Sequence, residues 1–228
     1  RDYNTLIVCG PTTRDLFEKM GVAADLSLGW LTHQPGKVAG KDVHLLRVSF
    51  AGELGWEIHA SMEDTPAIYD AVLAAGATPF GMYALNSMRV EKGYRAWKGD
   101  LSTDYSLLEG GLDRFIKFDK PQDFPGKAAL LAEKQQGVKK RFVTLELDHH
   151  DCDAPYMSPV SKDGKVVGEI TSCAMGYRTD KIVALGMLVP ELHNVGTEVT
   201  VNIFGDHVRA VVLADQPAWD PDNARIRA

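Results

Sequence analysis

The chain has 228 residues and a formal net charge of −6, so it lacks the basic face that a phosphate backbone requires, and nucleic acid is excluded as an expected partner. Hydrophobic residues make up 45% and charged residues 25%, the balance of an ordinary globular enzyme whose length permits one large domain or two small ones. No run of about 18 apolar residues is present, which indicates no membrane span, and no signal peptide is visible in a sequence that opens on Arg1 rather than Met.

In chain order, Thr5–Gly10 (TLIVCG) is an apolar run ended by glycine and reads as a strand. Residues 11–21 follow with helical spacing at Leu16, Phe17 and Met20 and a stop at Gly21. Residues 43–50 (VHLLRVSF) and 55–60 (GWEIHA) read as strands flanking a glycine turn. Asp64-Thr65-Pro66 opens a helix, with Asp64 as the capping residue and proline in the first turn. That helix runs through Ile68, Ala71 and Val72 and closes at Gly76. A second helix is expected from about Met82 to Lys92, and a third over Lys127–Gln136 with Gly137 as its stop. After Lys139 the texture changes to short alternating segments: RFVTLELD, GKVVGEITS, KIVALGMLV, TEVTVNIF and DHVRAVVLA. Turn residues such as Asp163-Gly164 and Gly205-Asp206 punctuate them, and this spacing predicts a small barrel or sandwich. A boundary is therefore placed near Lys139, with residues 1–139 as one domain and 140–228 as the other.

Two stretches carry chemistry. The first is Phe50 to Glu57, FAGELGWE, a glycine-hinged turn with two carboxylates. Gly52 and Gly55 admit backbone geometry that a side chain resists. Glu57 then enters a strand alternation, with Trp56, Ile58 and Ala60 on one side and Glu57 and His59 on the other. An acid at such a junction, beside an aromatic, can accept two parallel hydrogen bonds from a flat nitrogen heterocycle. The residues alone leave a solvated strand charge as the other reading. The second stretch is Met88 to Leu101, MRVEKGYRAWKGDL. Arg89 and Glu91 lie two positions apart on a helix and face different ways. Tying the helix to neighbouring loops is the reading preferred for them over catalysis, as is a turn or solubility role for Glu53.

Together the two stretches resemble the folate-binding aminomethyltransferases, the T-proteins of glycine cleavage and their relatives. That signature is an aromatic, then GE-x-G-x-E, then a helix close to LR-x-E-x-G. It is met here by Phe50, Gly52, Glu53, Gly55 and Glu57, then Met88, Arg89, Glu91 and Gly93. The resemblance runs through essentially the whole chain, to the closing VLADQPAWDP. ALNSMRVEKGYRAWKGDL and LEGGLDRFIKFDKPQDFPGKAAL look most like the later half of dimethylglycine and sarcosine dehydrogenases, where a flavin domain precedes the T-protein-like domain. T-proteins proper usually carry Arg-Asp where this chain has Leu85-Asn86, a departure that fits the dehydrogenase branch.

The resemblance implies an α+β fold: part of a T-protein-like folate-binding domain, then a small C-terminal β-barrel. It implies tetrahydrofolate as cofactor, with FAD held only by a flavin domain upstream in the same parent chain. Glu57 would hold the pterin ring, Phe50 would stack on it where the family often has Tyr, and Trp97 would line the pocket. From the residues alone, Phe50 is equally a core side chain and Trp97 a core or interface one. The implied chemistry is transfer of a one-carbon unit from an N-methyl amine, a small-molecule substrate, to tetrahydrofolate. The alternatives are a stand-alone aminomethyltransferase, a folate-dependent demethylase, and a non-catalytic folate-binding relative. The family's catalytic Asp belongs to an upstream region, so no catalytic residue is named here. The chain is expected to be a piece of a longer protein, inactive and weak in folate binding by itself, with the upstream neighbours of Thr5–Met20 absent and an exposed apolar patch beside the folate cleft.

Other features are read as structural. The run His149–Asp153 has no zinc-ligand spacing and is expected to be a polar loop. Pro125-Gly126-Lys127-Ala128 lacks the rest of a phosphate loop and reads as the opening of a helix. No G-x-G-x-x-G is present. The three cysteines are widely spaced, without a C-x-x-C. They suggest a reducing compartment, bacterial cytoplasm or mitochondrial matrix.

Overall fold

A computed structural model describes residues 2–149 and 151–228. Their contacts divide into two compact units: the chain up to Leu85 together with Asp220–Ala228, and Asn86–Trp219.

The first unit contains β1 (Tyr3–Cys9), α1 (Thr13–Lys19), β2 (His33–Val38), β3 (Lys41–Leu46), β4 (Gly55–Ser61) and α2 (Thr65–Ala74). The strands form one antiparallel sheet in the order β1-β4-β3-β2. Alternation on β3 and β4 sends Val43, Leu45, Trp56 and Ile58 to a core shared with Phe17 of α1 and Ile68 of α2. Trp56 and Phe17 meet with ring centroids 5.1 Å apart. The Arg47 guanidinium covers Trp56 at 4.8 Å and donates to the carbonyls of Gly55, Ile226 and Ala228. A half-apolar strand and two amphipathic helices thus close over one indole.

Two local expectations are corrected. β2 was not expected, because HQPGKV contains Pro35 and Gly36. It lies at the sheet edge, where a proline's missing N–H is tolerated. A Cβ on Gly36 would sit 3.0 Å from the Ala23 carbonyl oxygen, so the glycine serves close approach rather than a turn. Asp64 precedes α2 but makes no side-chain cap hydrogen bond. Its carboxylate accepts instead from Ser61 Oγ and pairs with Lys41 at 2.8 Å.

The helix α3 (Met82–Glu91) follows, and α4 covers Lys127–Gln136 as its spacing predicted. The remaining strands are β5 (Arg141–Leu147), β6 (Pro159–Lys162), β7 (Lys165–Gly176), β8 (Lys181–Leu188), β9 (Glu198–Ile203) and β10 (Asp206–Val212). They close into a barrel, β10-β5-β8-β7-β6-β9, rather than a sandwich. Its interior holds Val143, Leu145, Ile170, Val201 and Ala210. Phe142, Val183, Leu185 and Met187 point the other way, onto Val90 of α3. β8 is therefore buried on both faces, which explains why KIVALGML is apolar almost without interruption. β6 was also missed; it is only PVSK, with Pro159 as its first residue. The Asp163-Gly164 turn joins β6 to β7 with φ of 50° and 75°, a two-residue hairpin as the sequence suggested. The turn expected at Gly205-Asp206 is centred one residue earlier, on Phe204 and Gly205 with φ of 53° and 107°. Among the described residues no helix is long and apolar enough to cross a membrane.

Candidate functional site

The turn before β4 is shaped by two glycines for different reasons. Gly52 has φ of +72°, a left-handed conformation that other residues resist. Gly55 has no such backbone demand. A Cβ there would come 2.9 Å from Cys9 Cβ and 3.1 Å from the Val8 carbonyl oxygen. The missing side chain lets β4 lie tightly against β1. Glu53 is buried to 8% exposure, so the solubility role considered for it is excluded and it belongs to the interior of the turn.

This tight junction fixes the phase of β4, with Trp56 buried and Glu57 on the opposite face. The Glu57 side chain is 28% exposed and that of His59 is 30% exposed. Two residues apart on a strand, they share a face. His59 Nε2 lies 3.0 Å from Glu57 Oε2. The other ring nitrogen, Nδ1, lies 3.1 Å from Thr5 Oγ1 on β1, whose Cα is paired with that of His59. The residues paired with Glu57 are Ile7 on β1 and Leu46 on β3, and cross-strand partners share a face. A carboxylate is thus set between aliphatic neighbours, with one oxygen fastened to an imidazole. The acceptor chemistry fits an aminopyrimidine edge, which offers parallel N–H donors to a carboxylate.

Phe50 stands at the other end of the same turn and is 36% exposed; it is not a core side chain. Trp97 belongs to the second unit and is 68% exposed, in the segment after α3. It too is not a core residue, and the interface and ligand readings for it remain.

Arg89, Glu91 and Arg95 of the second stretch are engaged in structural contacts. Arg89 Nη1 donates to Asp100 Oδ2 at 2.5 Å and to the Tyr94 carbonyl at 3.0 Å. Its Nε and Nη2 reach Asn86 Oδ1, and Nη2 also reaches Ser172 Oγ. Glu91 accepts from Arg178 Nε at 2.6 Å and from the Arg178 and Thr179 backbone N–H groups. Gly93, with φ of +68°, ends α3, and Arg95 pairs with Asp215 at 2.5 Å.

His59 and Thr5 escaped the sequence reading. Period-two spacing from Glu57 was a signal for His59; nothing local marks Thr5, whose role depends on the β1–β4 register. Of the run 149–153, His150 lies outside the described residues. Among the described residues no group of three or more His, Cys, Asp or Glu could hold a metal. Gly126, with φ of +86°, stands at the N-terminus of α4, so PGKA opens a helix. A groove of about 590 Å³ also lies in the first unit, lined by Ile7, Leu16, Tyr69, Phe80 and Met82.

Comparison with known proteins gives two family matches: the GCVT N-terminal domain over residues 1–120 and the glycine cleavage T-protein C-terminal barrel domain over residues 140–220. Human mitochondrial dimethylglycine dehydrogenase is 37% identical over 221 residues, covering 94% of this chain and 25% of the relative. Mouse mitochondrial sarcosine dehydrogenase is 33% identical, covering 99% of this chain and 26% of the relative. An aminomethyltransferase of Thermosynechococcus vestitus is 36% identical over 181 residues, with coverage of 79% and 49%. The chain thus spans about a quarter of the dehydrogenases and about half of that aminomethyltransferase. Glycine cleavage system aminomethyltransferase T from Bartonella henselae superposes with a TM-score of 0.84 at 22% identity, over 95% of this chain and 60% of that one, a likeness of fold.

Proposed function

The chain belongs to the glycine cleavage T-protein family, and from that premise we propose that it is the tetrahydrofolate-binding part of an enzyme of the dimethylglycine and sarcosine dehydrogenase kind. The observation that carries the reading is Glu57: a partly exposed carboxylate with one oxygen secured by His59, in the phase that GELGWE imposes. Its carboxylate accepts the donor edge of the pterin, and Phe50 offers a ring face for stacking. Trp97 is proposed as a further wall of the ligand site. Bound tetrahydrofolate supplies the nitrogen nucleophiles that take up the one-carbon unit. The chain's own residues orient that ring and keep water from competing for the electrophile.

The one-carbon donor is an N-methyl amine oxidised elsewhere in the same protein, with FAD belonging to a flavin domain upstream of this chain. No residue of the chain is assigned the chemical step, and by itself it is proposed not to complete the reaction. The boundary near Lys139 is kept as a division by role, with 1–139 carrying the folate site and 140–228 the barrel. Leu85-Asn86, where T-proteins proper usually carry Arg-Asp, favours this branch over a stand-alone aminomethyltransferase. The proposed location is mitochondrial matrix or bacterial cytoplasm. The names of the mammalian relatives support the first.

The test is the fate of the carbon in the intact protein. With dimethylglycine or sarcosine and tetrahydrofolate present, the wild type should deliver the carbon as 5,10-methylenetetrahydrofolate. Glu57→Ala should raise the formaldehyde released per amine consumed. A formaldehyde ratio unchanged by tetrahydrofolate in the wild type would overturn the reading.

A further inference from the structure

We propose that His59 is a positioning residue for Glu57 and that Thr5 anchors the imidazole ring that acts on it. The inference rests on the reading of Glu57 as the acid that holds the ligand ring. The geometry behind it is a three-residue chain across β1 and β4: Thr5 Oγ1, 3.1 Å to His59 Nδ1; His59 Nε2, 3.0 Å to Glu57 Oε2.

Both ring nitrogens are engaged, and the two partners differ in kind. A carboxylate accepts only, so Nε2 carries a proton and donates to it. A hydroxyl does either, so Thr5 donates its proton to Nδ1 when the imidazole is neutral. Both imidazole nitrogens are then satisfied by one arrangement. One lone pair of Glu57 Oε2 is engaged by His59, and its second lone pair and Oε1 are left for the parallel donors of the ligand.

The benefit is preorganisation. A glutamate side chain has several rotatable bonds, and ordering it on binding opposes affinity. Here the ordering is done before the ligand arrives, by a ring that is itself clamped. The supports are rigid too: His59 lies on β4, paired with Thr5 of β1 on one side and His44 of β3 on the other.

The experiment is calorimetric titration of the intact protein with tetrahydrofolate, with melting temperatures recorded to confirm folding. In His59→Gln the amide nitrogen reaches as far as Nε2 and can still donate to Glu57, so affinity should stay within about twofold of wild type. His59→Asn is too short for that contact and should lose roughly three- to tenfold in affinity. Thr5→Val should lose part of the same factor. In a Glu57→Gln background, His59→Asn should add no further loss, because its only route to the ligand is gone.

Equal losses in the Gln and Asn variants, or a full additional loss in the Glu57→Gln background, would overturn the inference. So would wild-type affinity in His59→Asn; if Glu57→Gln is weakened in the same series, the Glu57 reading stands and only the role of His59 falls. Unchanged affinity in Glu57→Gln would instead remove the Glu57 reading itself, and this inference with it.

Discussion

Arg89 and Asp100 form a buried ion pair whose value depends on both members being present. Asp100 is fully buried; it accepts from Arg89, from the Ala96 backbone N–H and from Thr171 Oγ1. Removing one partner strands a charge without water, which costs about 3–5 kcal/mol, whereas replacing both by apolar groups costs much less. Urea denaturation should therefore show Asp100→Ala destabilised by about 3–5 kcal/mol, and Arg89→Leu/Asp100→Leu less destabilised than the sum of its single variants. The cysteines differ by the same logic of burial. Desolvation pushes the Cys173 thiol up to about 12, while Cys152 is exposed. Thiolate is the reacting species, so iodoacetamide at pH 8 should label Cys152 in the native protein and reach Cys173 only after unfolding.

The turn and strand from Gly52 to Ser61 show what an element adds to its residues. Gly55→Ala would force a methyl group to 2.9 Å from Cys9 Cβ. Overpacking of this kind costs about 1–3 kcal/mol, read as a lowered urea midpoint, and it should also weaken tetrahydrofolate binding by shifting Glu57. This element was legible in the sequence because alternation is strict there, and GELGWE with MRVEKG marked the family. β5, β8, β9 and β10 were legible for the same reason. β2 and β6 were not: HQPGKV and PVSK are short and carry proline, and their strand character comes from neighbours. Glu57 was readable as a candidate site residue from its motif. The Thr5–His59 contact was not, because it joins residues 54 positions apart through a register. Asp64 failed as a cap because Lys41 and Ser61 compete for its carboxylate.

At the scale of the molecule, folding buries a titratable group that water solvates in the unfolded chain. His193 follows the turn Pro190–Leu192 and has a buried Nε2. Burial first, and then the Arg141 charge, hold it below its ordinary value of 6.5; Asp215 and Asp113 oppose them. A base with a lowered pKa in the folded state takes its proton first in the unfolded chain. Its contribution to stability is thus complete above about pH 6.5 and is lost as pH falls through the folded value. Between pH 7 and pH 5 the wild type should lose more melting temperature than His193→Leu; parallel losses would contradict this. One carboxylate, that of Glu57, carries the proposed ligand binding. Calorimetric titration of the intact protein with tetrahydrofolate should show Glu57→Ala, folded as wild type, weaker by roughly 1.5–3 kcal/mol. Unchanged affinity in that variant would contradict it.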